Sequence, residues 1–250
     1  MPRILLILIA LFLTLPAFAQ DVTPEPDRTR IEGIVRDYLL TNPEIMLEVQ
    51  AALEAKQAEL ALARAKEAIT RNQTAILSSK NQAVVGNPDG DVTLVEFFDY
   101  NCGFCQRAMN DMNELLAKDD KLRFVLKELP ILGPGSVTAS QVSTAVYRLH
   151  PDRYAEFHGR LLGLDAQKDG ATARTIAEDM GFDMAALNAE ADKPDVIDAF
   201  REVNRLADEL GISGTPSYII GDEVVFGALG ADVLARKVSN MRACGRTECG

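Results

Sequence analysis

The sequence predicts an α/β protein in which a β-α-β unit, a long helical insertion and a β-β-α unit follow an N-terminal helical segment. Two apolar runs of strand length, Val92 to Phe98 and Leu122 to Leu126, flank a stretch with helical periodicity. A largely helical stretch runs from Ser136 to Leu210. Two short apolar runs then lie on either side of a Gly-Asp pair, which is typical of a two-residue hairpin turn.

Length, composition and charge exclude several classes of protein. The chain has 250 residues, of which 47% are hydrophobic and 25% charged, as in a globular protein of one domain plus an appendage or of two small domains. Its 37 acidic and 26 basic residues give a net charge of −11. Such a charge repels nucleic-acid phosphates and anionic lipids, so we predict no nucleic-acid partner.

The N-terminus has the pattern of a secretory signal peptide. A basic start at Arg3 is followed by an apolar run from Ile4 to Leu15 and by Ala17-Phe18-Ala19, which places small residues where a signal peptidase reads them. The apolar run is too short to span a membrane. We therefore predict a cleaved signal at residues 1–19 and a mature protein in the periplasm, an oxidising compartment in which cysteine thiols tend to pair.

Residues 20–82 are predicted to form the N-terminal helical segment. A first helix ends at Thr41, and Asn42 is expected to cap a second helix that starts at Pro43 and continues to about Ser78. Two interpretations stay open: a helix packed on its own domain, and an oligomerisation segment. The apolar stripes consist of Ile31, Ile34, Val35, Tyr38 and Leu39 in the first helix and of Met46, Val49, Leu53 and Leu60 in the second.

Residues 83–250 are predicted to form one domain. A turn cluster from Gly86 to Gly90 lies near its start, and a final helix runs from Gly230 to about Arg242. Two short strands, at 217–220 and 223–226, precede that final helix. The helical insertion, residues 136–210, is expected to break near Pro151, Gly170, Gly181 and Pro194.

The motif that carries chemistry is Cys102-Gly103-Phe104-Cys105, which lies where the first predicted strand ends and a helix begins. On the first turn of a helix this spacing lets two sulfur atoms form a small disulfide ring, and the helix N-terminus favours a thiolate on Cys102. A thiolate of low pKa attacks disulfides and is also a good leaving group. We therefore predict a redox-active disulfide in which Cys102 is the nucleophile and Cys105 the resolving thiol.

Three other interpretations of this motif stay open: an inert disulfide, half of a zinc site, and the Cu(I) site of a periplasmic metallochaperone. A zinc site needs two more ligands, but both histidines lie in the helical insertion, and Cys244 and Cys249 are irregularly spaced for a zinc ribbon. Copper chaperones usually add Met or His near the thiolates, whereas Met109 and Met112 here lie along the helix. We predict no metal and no cofactor, and keep copper binding as the second hypothesis.

A second motif, Gly214-Thr215-Pro216, directly precedes the predicted strand Ser217 to Ile220. By itself, a proline at the first residue of a strand is tolerated. Together with the run Glu96 to Cys105 and the helical insertion, however, the motif resembles the DsbA-like thiol-disulfide oxidoreductases of the thioredoxin superfamily. The resemblance covers about Ala83 to Cys244. It implies a thioredoxin fold with a helical insertion, cysteine-containing exported proteins as substrates, and an unidentified membrane redox partner.

The same resemblance implies roles for four further residues. Pro216 would be cis and lie against the CxxC motif, and Thr215 would offer backbone groups to a substrate peptide. Glu96 would be buried beneath Cys105 and help to move its proton; the apolar neighbours of Glu96 in the strand also favour burial. Lys127 would be the counter-charge of Glu96.

The N-terminal helical segment further resembles the branch that contains the suppressor-of-copper-sensitivity protein, ScsC, and the Com1-like proteins. Some members of that branch trimerise through this segment and act as isomerases, which implies a homo-oligomer and isomerase activity. The dipeptide Gly103-Phe104 lacks the histidine that donates to the thiolate in strong oxidases of the family, and Thr215 stands where those oxidases have valine. Isomerase and oxidase are therefore the two expected activities.

The remaining cysteines, Cys244 and Cys249, are expected to close a small C-terminal loop. Such a disulfide contributes roughly 2 kcal/mol by reducing the chain entropy of the unfolded state. A structural disulfide is the simpler interpretation. A second redox relay is the alternative, because other thiols reach a chain terminus easily.

Overall fold

The computed structural model describes residues 25–80 and 82–249. The predicted signal peptide, residues 1–19, lies outside the described residues. The chain divides into two compact units between Lys56 and Gln57, within the second helix. In the part of the chain that the structure describes, no helix has the length and hydropathy needed to cross a membrane.

The first unit contains helix α1 (Glu25–Thr41) and the beginning of helix α2 (Ile45–Arg71). The predicted cap between them is wrong in one respect, because α2 begins at Ile45 and not at Pro43. The side-chain amide of Asn42 donates to the carbonyl oxygen of Tyr38 at 2.9 Å, so Asn42 supplies a hydrogen bond to one of the last backbone carbonyl groups of α1. Asn42 therefore ends the first helix instead of capping the second.

Most of the apolar side chains of the first unit are exposed, whereas Leu39 of the predicted stripe is half-buried. Ile34 is 62% exposed and Leu47 is 74% exposed, and the predicted stripe residues among their neighbours are also at least half exposed. A stripe of this kind on a single helix remains in water unless another chain or element covers it. Those stripe residues are Ile31, Val35, Tyr38, Met46, Val49 and Leu53.

The second unit is built on a mixed five-stranded sheet in the order β1-β3-β2-β4-β5. Strands β2 and β3 are parallel, and every other neighbouring pair is antiparallel. Strand β1, which the sequence analysis missed, pairs with β3 at the sheet edge. The strands are β1 (Ala83–Gly86), β2 (Val92–Phe98), β3 (Leu122–Glu128), β4 (Ser217–Ile220) and β5 (Glu223–Phe226).

The predicted helical insertion is confirmed, and its helices change at the predicted breaks. Pro151 starts a short 3-10 turn, and Pro194 occupies the first turn of a helix, where its missing N–H costs nothing. The helices of the second unit after α2 are α3 (Gln73–Leu77), α4 (Gly103–Lys118), α5 (Pro134–Leu149), α6 (Tyr154–Leu162), α7 (Gly170–Asp179), α8 (Met184–Ala191), α9 (Pro194–Leu210) and α10 (Ala231–Cys244).

Strand β2 separates two hydrophobic cores, because alternate side chains of a strand point to opposite faces. Leu94 and Phe98 pack in a core with residues of α4, α5, α6 and α10. Val95 and Phe97 belong to the other core, which also contains residues of α9. The end of α2 and helix α3 contribute to this second core through Ala68, Ile69 and Ile76.

Helix α3 is joined to the sheet by polar contacts as well as by apolar packing. The continuous helix predicted up to Ser78 is interrupted at Asn72, whose side-chain amide donates to Glu209 at 2.8 Å. The Arg123 guanidinium donates to the Leu77 carbonyl oxygen at 2.8 Å. The predicted boundary between residues 82 and 83 stays a prediction, and any truncation at that point removes part of the second core.

We predict that Ile76→Ala lowers the free energy of unfolding by about 2–5 kcal/mol, the usual cost of truncating a buried aliphatic side chain. Ile76 is 1% exposed, whereas Leu62 on α2 is 64% exposed. Leu62→Ala is therefore the control, with a loss below about 0.5 kcal/mol. Urea denaturation of the full-length variants measures both values, and equal losses would contradict the packing of α3 in the core.

Candidate active site

The CxxC motif begins helix α4, as predicted. Cys102 is the N-cap residue, and its Sγ accepts a hydrogen bond from the Cys105 backbone N–H at 3.3 Å. This cap places Cys102 at the positive end of the helix dipole. Both cysteines are free thiols here and both are buried, Cys105 completely. The structure therefore shows the dithiol form of the predicted redox pair.

The two thiols ionise very differently. Hydrogen bonding from the Cys105 side chain lowers the pKa of Cys102 to about 6, although burial acts in the opposite direction. Hydrogen bonds from the Thr215 side chain and from the backbone N–H groups of Cys105 and Phe104 lower this pKa as well. Burial, followed by the hydrogen bond to Cys102, raises the pKa of Cys105 far above that of a free thiol. At neutral pH, Cys102 is mostly a thiolate while Cys105 keeps its proton. This asymmetry is what a nucleophile and a resolving thiol require.

The Gly214-Thr215-Pro216 motif lies directly beside Cys102. The peptide bond between Thr215 and Pro216 is cis. The Cys102 sulfur lies 3.1 Å from the Thr215 carbonyl oxygen, to which it donates when it is protonated. The Gly227 N–H donates to the Pro216 carbonyl oxygen at 2.9 Å. Residues 113 positions apart in the chain therefore form one site.

Glu96 is buried on β2, where it is 3% exposed and lies between Leu126 of β3 and Tyr218 of β4. Burial, together with the negative charges of Cys102 and Asp111, raises the pKa of Glu96 to about 8. The charge of Glu96 in turn raises the pKa of Cys105. A carboxyl group that is near both thiols and titrates close to neutral pH has the properties of a proton carrier.

Lys127 is not the counter-charge of Glu96, so this expectation is wrong. In the β2–β3 register, Lys127 is opposite Phe97 and Glu96 is opposite Leu126. The side chains of Lys127 and Glu96 therefore point to opposite faces of the sheet. The Lys127 ammonium donates to the carbonyl oxygen of Ala75 in α3.

The turn between β2 and α4 is held by Asp99, which the sequence analysis did not identify. Its Oδ1 accepts hydrogen bonds from the Asn101 N–H and the Ser136 hydroxyl, both at 2.7 Å, and its Oδ2 accepts from the Leu132 N–H at 2.9 Å. The Asp99 carbonyl oxygen also accepts from the Cys102 N–H at 3.1 Å. An aspartate after a strand is a known signal for such a turn.

A buried polar network lies behind this turn. The Tyr100 hydroxyl is 2.6 Å from the Ser143 hydroxyl and 3.2 Å from Nδ1 of His158, and Ser143 donates to Glu128 at 2.6 Å. Burial lowers the pKa of His158 to about 4, so its ring is neutral at physiological pH. This histidine is therefore a hydrogen-bonded core residue.

The histidine and methionine side chains that were considered as metal ligands make other contacts. His150 stacks on Phe182 with ring centroids 4.4 Å apart, while Met109 and Met112 are buried in the first core. Among the described residues, no group of three or more His, Cys, Asp and Glu side chains has an arrangement that could hold a metal ion. Copper binding stays the second hypothesis.

The predicted disulfide between Cys244 and Cys249 is present, with Cα atoms 6.2 Å apart. It follows the end of α10, near Arg242, which forms ion pairs with Asp91 before β2 and Asp119 after α4. The CxxC motif lies at the other end of β2, roughly 20 Å away along the strand. This separation favours a structural disulfide over a direct relay.

Comparison with known proteins identifies the family. Residues 93–239 match the family model described as DSBA-like thioredoxin domain. The chain belongs to this family. Residues 27–59 match a second model, the copper resistance protein ScsC N-terminal domain. The sheet with its helical insertion is accordingly a thioredoxin-like fold, and the N-terminal helices belong to a region that ScsC also has.

Several similar proteins support the assignment. A thioredoxin-like oxidoreductase from Silicibacter pomeroyi DSS-3 is 35% identical, with a TM-score of 0.66 over 69% of this chain and 99% of that chain. Proteus mirabilis ScsC in a transitional conformation is 27% identical, with a TM-score of 0.64 over 88% and 99% of the two chains. Disulfide bond formation protein D of Bacillus subtilis (strain 168) is 28% identical over 159 residues, which are 59% of this chain and 71% of that protein.

We predict that Glu96→Gln raises the free energy of unfolding of the reduced protein by an amount that grows between pH 4.5 and about 8. In this interval the unfolded chain has lost the Glu96 proton, whereas the folded protein still holds it, so wild-type stability falls as pH rises. The gain from pH 5 to pH 8 should be at least about 1 kcal/mol, equivalent to about one pKa unit.

Urea denaturation at the two pH values tests this prediction. Glu178→Gln, a substitution of an exposed residue on α7, is the control and should change stability equally at both. A Glu96→Gln effect that is independent of pH would show that the carboxyl group ionises normally in the folded protein.

Proposed function

We propose that this protein is an exported thiol-disulfide oxidoreductase that exchanges disulfides with cysteine-containing exported proteins through Cys102 and Cys105. The observation that carries the proposal is the opposite ionisation of these two adjacent thiols beside Thr215 and Pro216. The signal-peptide pattern of residues 1–19 supports a location in the periplasm.

In the reductive direction, the Cys102 thiolate attacks a substrate disulfide. One substrate sulfur forms a mixed disulfide with Cys102, and the other leaves as a thiolate that takes a proton from water. Once the charge of Cys102 is lost in the mixed disulfide, Glu96 releases its own proton to water and then accepts the proton of Cys105. Cys105 attacks the Cys102 sulfur, which releases the second substrate thiolate and leaves the Cys102–Cys105 disulfide. Oxidation of a substrate dithiol is the reverse sequence.

The surroundings of Cys102 support recognition of an extended substrate segment. The Thr215 carbonyl oxygen already accepts from the Cys102 thiol, so it lies where the backbone of a segment bound to Cys102 would pass. Phe104, inside the CxxC motif, is 58% exposed and offers an apolar contact next to the nucleophile. A membrane redox partner would meet the same surface when it restores the oxidation state of the pair.

We predict that Cys105→Ser accumulates mixed disulfides with a disulfide-containing client such as scrambled ribonuclease, because attack by Cys102 occurs but resolution does not. Cys102→Ser should form none. The control is the double variant Cys244→Ser, Cys249→Ser, which should turn over the client as the wild type does. Non-reducing electrophoresis and mass spectrometry identify the adducts, and adducts formed through Cys105 in Cys102→Ser would contradict the assignment of the nucleophile.

We also propose that the helices of the first unit form a homo-oligomer and that oligomerisation supports isomerase activity. The exposed apolar stripe of α1 and α2 supports this, since an unpartnered stripe is covered when copies associate. The match of residues 27–59 to the ScsC N-terminal domain supports oligomerisation through the same region. Several reduced CxxC motifs around one client let a released thiol try another pairing, which an isomerase requires.

We predict that Val49→Glu combined with Leu53→Glu dissociates the oligomer, because it places charges in an apolar interface. Rescue of scrambled ribonuclease should fall at least about tenfold, while reduction of a small disulfide is unchanged. Light scattering and the two assays measure this. The control, Ala51→Glu combined with Ala55→Glu, adds the same charge to the opposite face of α2. A wild-type monomer, or isomerase activity that survives dissociation, would refute the proposed role of the stripe.

A further inference from the structure

The loop between α6 and α7, residues 163–169, is bonded to the active-site turn on both sides of Cys102. The Asn101 side chain forms two hydrogen bonds with the backbone of Lys168: its Oδ1 accepts from the N–H at 2.7 Å, and its Nδ2 donates to the carbonyl oxygen at 2.8 Å. On the other side, the Gln106 side chain donates to the Gly163 carbonyl oxygen at 2.9 Å. The backbone of Lys168 is therefore fixed by the residue that precedes the nucleophile.

Lys168 is 7% exposed, and lysine side chains are seldom this buried unless their charge is paired. The two bonds from Asn101 hold the backbone of Lys168 next to the residue that precedes Cys102, and the side chain is buried there. Burial lowers the pKa of Lys168, and the negative charges of Asp165 and Cys102 oppose this shift. Among the described residues, the titratable and charged groups on the elements around Cys102 include Glu96 of β2, Cys105 and Arg107 of α4, Tyr218 of β4, and Asp165 and Lys168 of the α6–α7 loop.

We propose that Lys168 is a positioning residue for the redox reaction: held by Asn101, it places a positive charge beside Cys102 and stabilises the thiolate. It supplies the favourable charge that the dipeptide Gly103-Phe104 lacks. Arg107, a further cation near the motif, lies over the Phe104 ring at 4.1 Å from the centroid. The proposal rests on the proposed function, because it requires Cys102 to react as a thiolate.

A role of Lys168 through its charge and a role through its packing predict different effects of substituting this residue. Lys168→Met keeps most of the aliphatic stem and removes the charge, while Lys168→Arg keeps the charge. If the side chain only fills space, Lys168→Met is harmless to the thiolate. If the charge acts on Cys102, then Lys168→Met raises the pKa of Cys102, Lys168→Arg restores it, and Asp165→Asn lowers it because a nearby negative charge is lost.

The experiment is a titration of thiolate absorbance at 240 nm in the full mature protein, together with its redox equilibrium against glutathione. We expect Lys168→Met to raise the pKa of Cys102 by about one unit. For a wild-type pKa of about 6, this change shifts the equilibrium at pH 7 by about fivefold towards the Cys102–Cys105 disulfide. Asn101→Ala should shift both values in the same direction, and Lys168→Arg should match wild type.

The outcomes separate this inference from the proposed function. A wild-type Cys102 that titrates near 9 would refute the thiolate mechanism itself. A wild-type value near 6 that Lys168→Met leaves unchanged would refute only the role of Lys168. Urea denaturation of each variant shows whether the fold is intact. In a folded variant, the opposite shifts of Lys168→Met and Asp165→Asn are an effect that loss of packing does not produce.

Discussion

The site depends on one hydrogen bond at the start of α4, where Cys102 takes the place of the usual Ser, Thr, Asp or Asn cap. A capping sulfur that accepts the Cys105 N–H at 3.3 Å is held at the end of the helix where a negative charge is most stable. The position of this cap is set in turn by Asp99, whose carboxylate and carbonyl groups accept four hydrogen bonds from the turn and its neighbours. Strand, turn and cap together therefore determine the ionisation of the Cys102 thiol.

Because side chains alternate along β2, the two faces of the sheet carry different parts of the structure. One face carries Glu96 and the core beneath the CxxC motif, and the other carries Phe97 and the core that receives α3. Lys127 belongs to the second face, where its ammonium bonds to the Ala75 carbonyl oxygen. The charge of Lys127 thus helps to join the end of the N-terminal helical segment to the sheet, and Glu96 on the other face has no lysine opposite it in β3.

Local patterns in the sequence predicted most of the elements, and tertiary placement explains what they missed. The CxxC motif, four strands and the breaks in the helical insertion have strong local signals, namely apolar periodicity, proline and glycine. Strand β1 has four residues, as have β4 and β5, but those two flank a hairpin turn that reveals them, whereas β1 pairs with β3 far along the chain. The face of Lys127 depends on the register of two strands, and the contact of Asn101 with Lys168 joins residues 67 positions apart. Periodicity along the chain contains neither kind of information.

The charges within the site also order the steps of the proposed reaction. The Cys102 thiolate raises the pKa of Glu96, so the carboxyl group stays protonated while the nucleophile is charged. When Cys102 enters a mixed disulfide, its negative charge disappears and the pKa of Glu96 falls. The carboxylate becomes more populated at that moment, which is when Cys105 must lose a proton in order to attack. Because both groups are buried, each responds to the charge of the other with little screening by water. The proton acceptor is therefore most available after the first step, and the resolving thiol is activated only when there is a mixed disulfide to resolve.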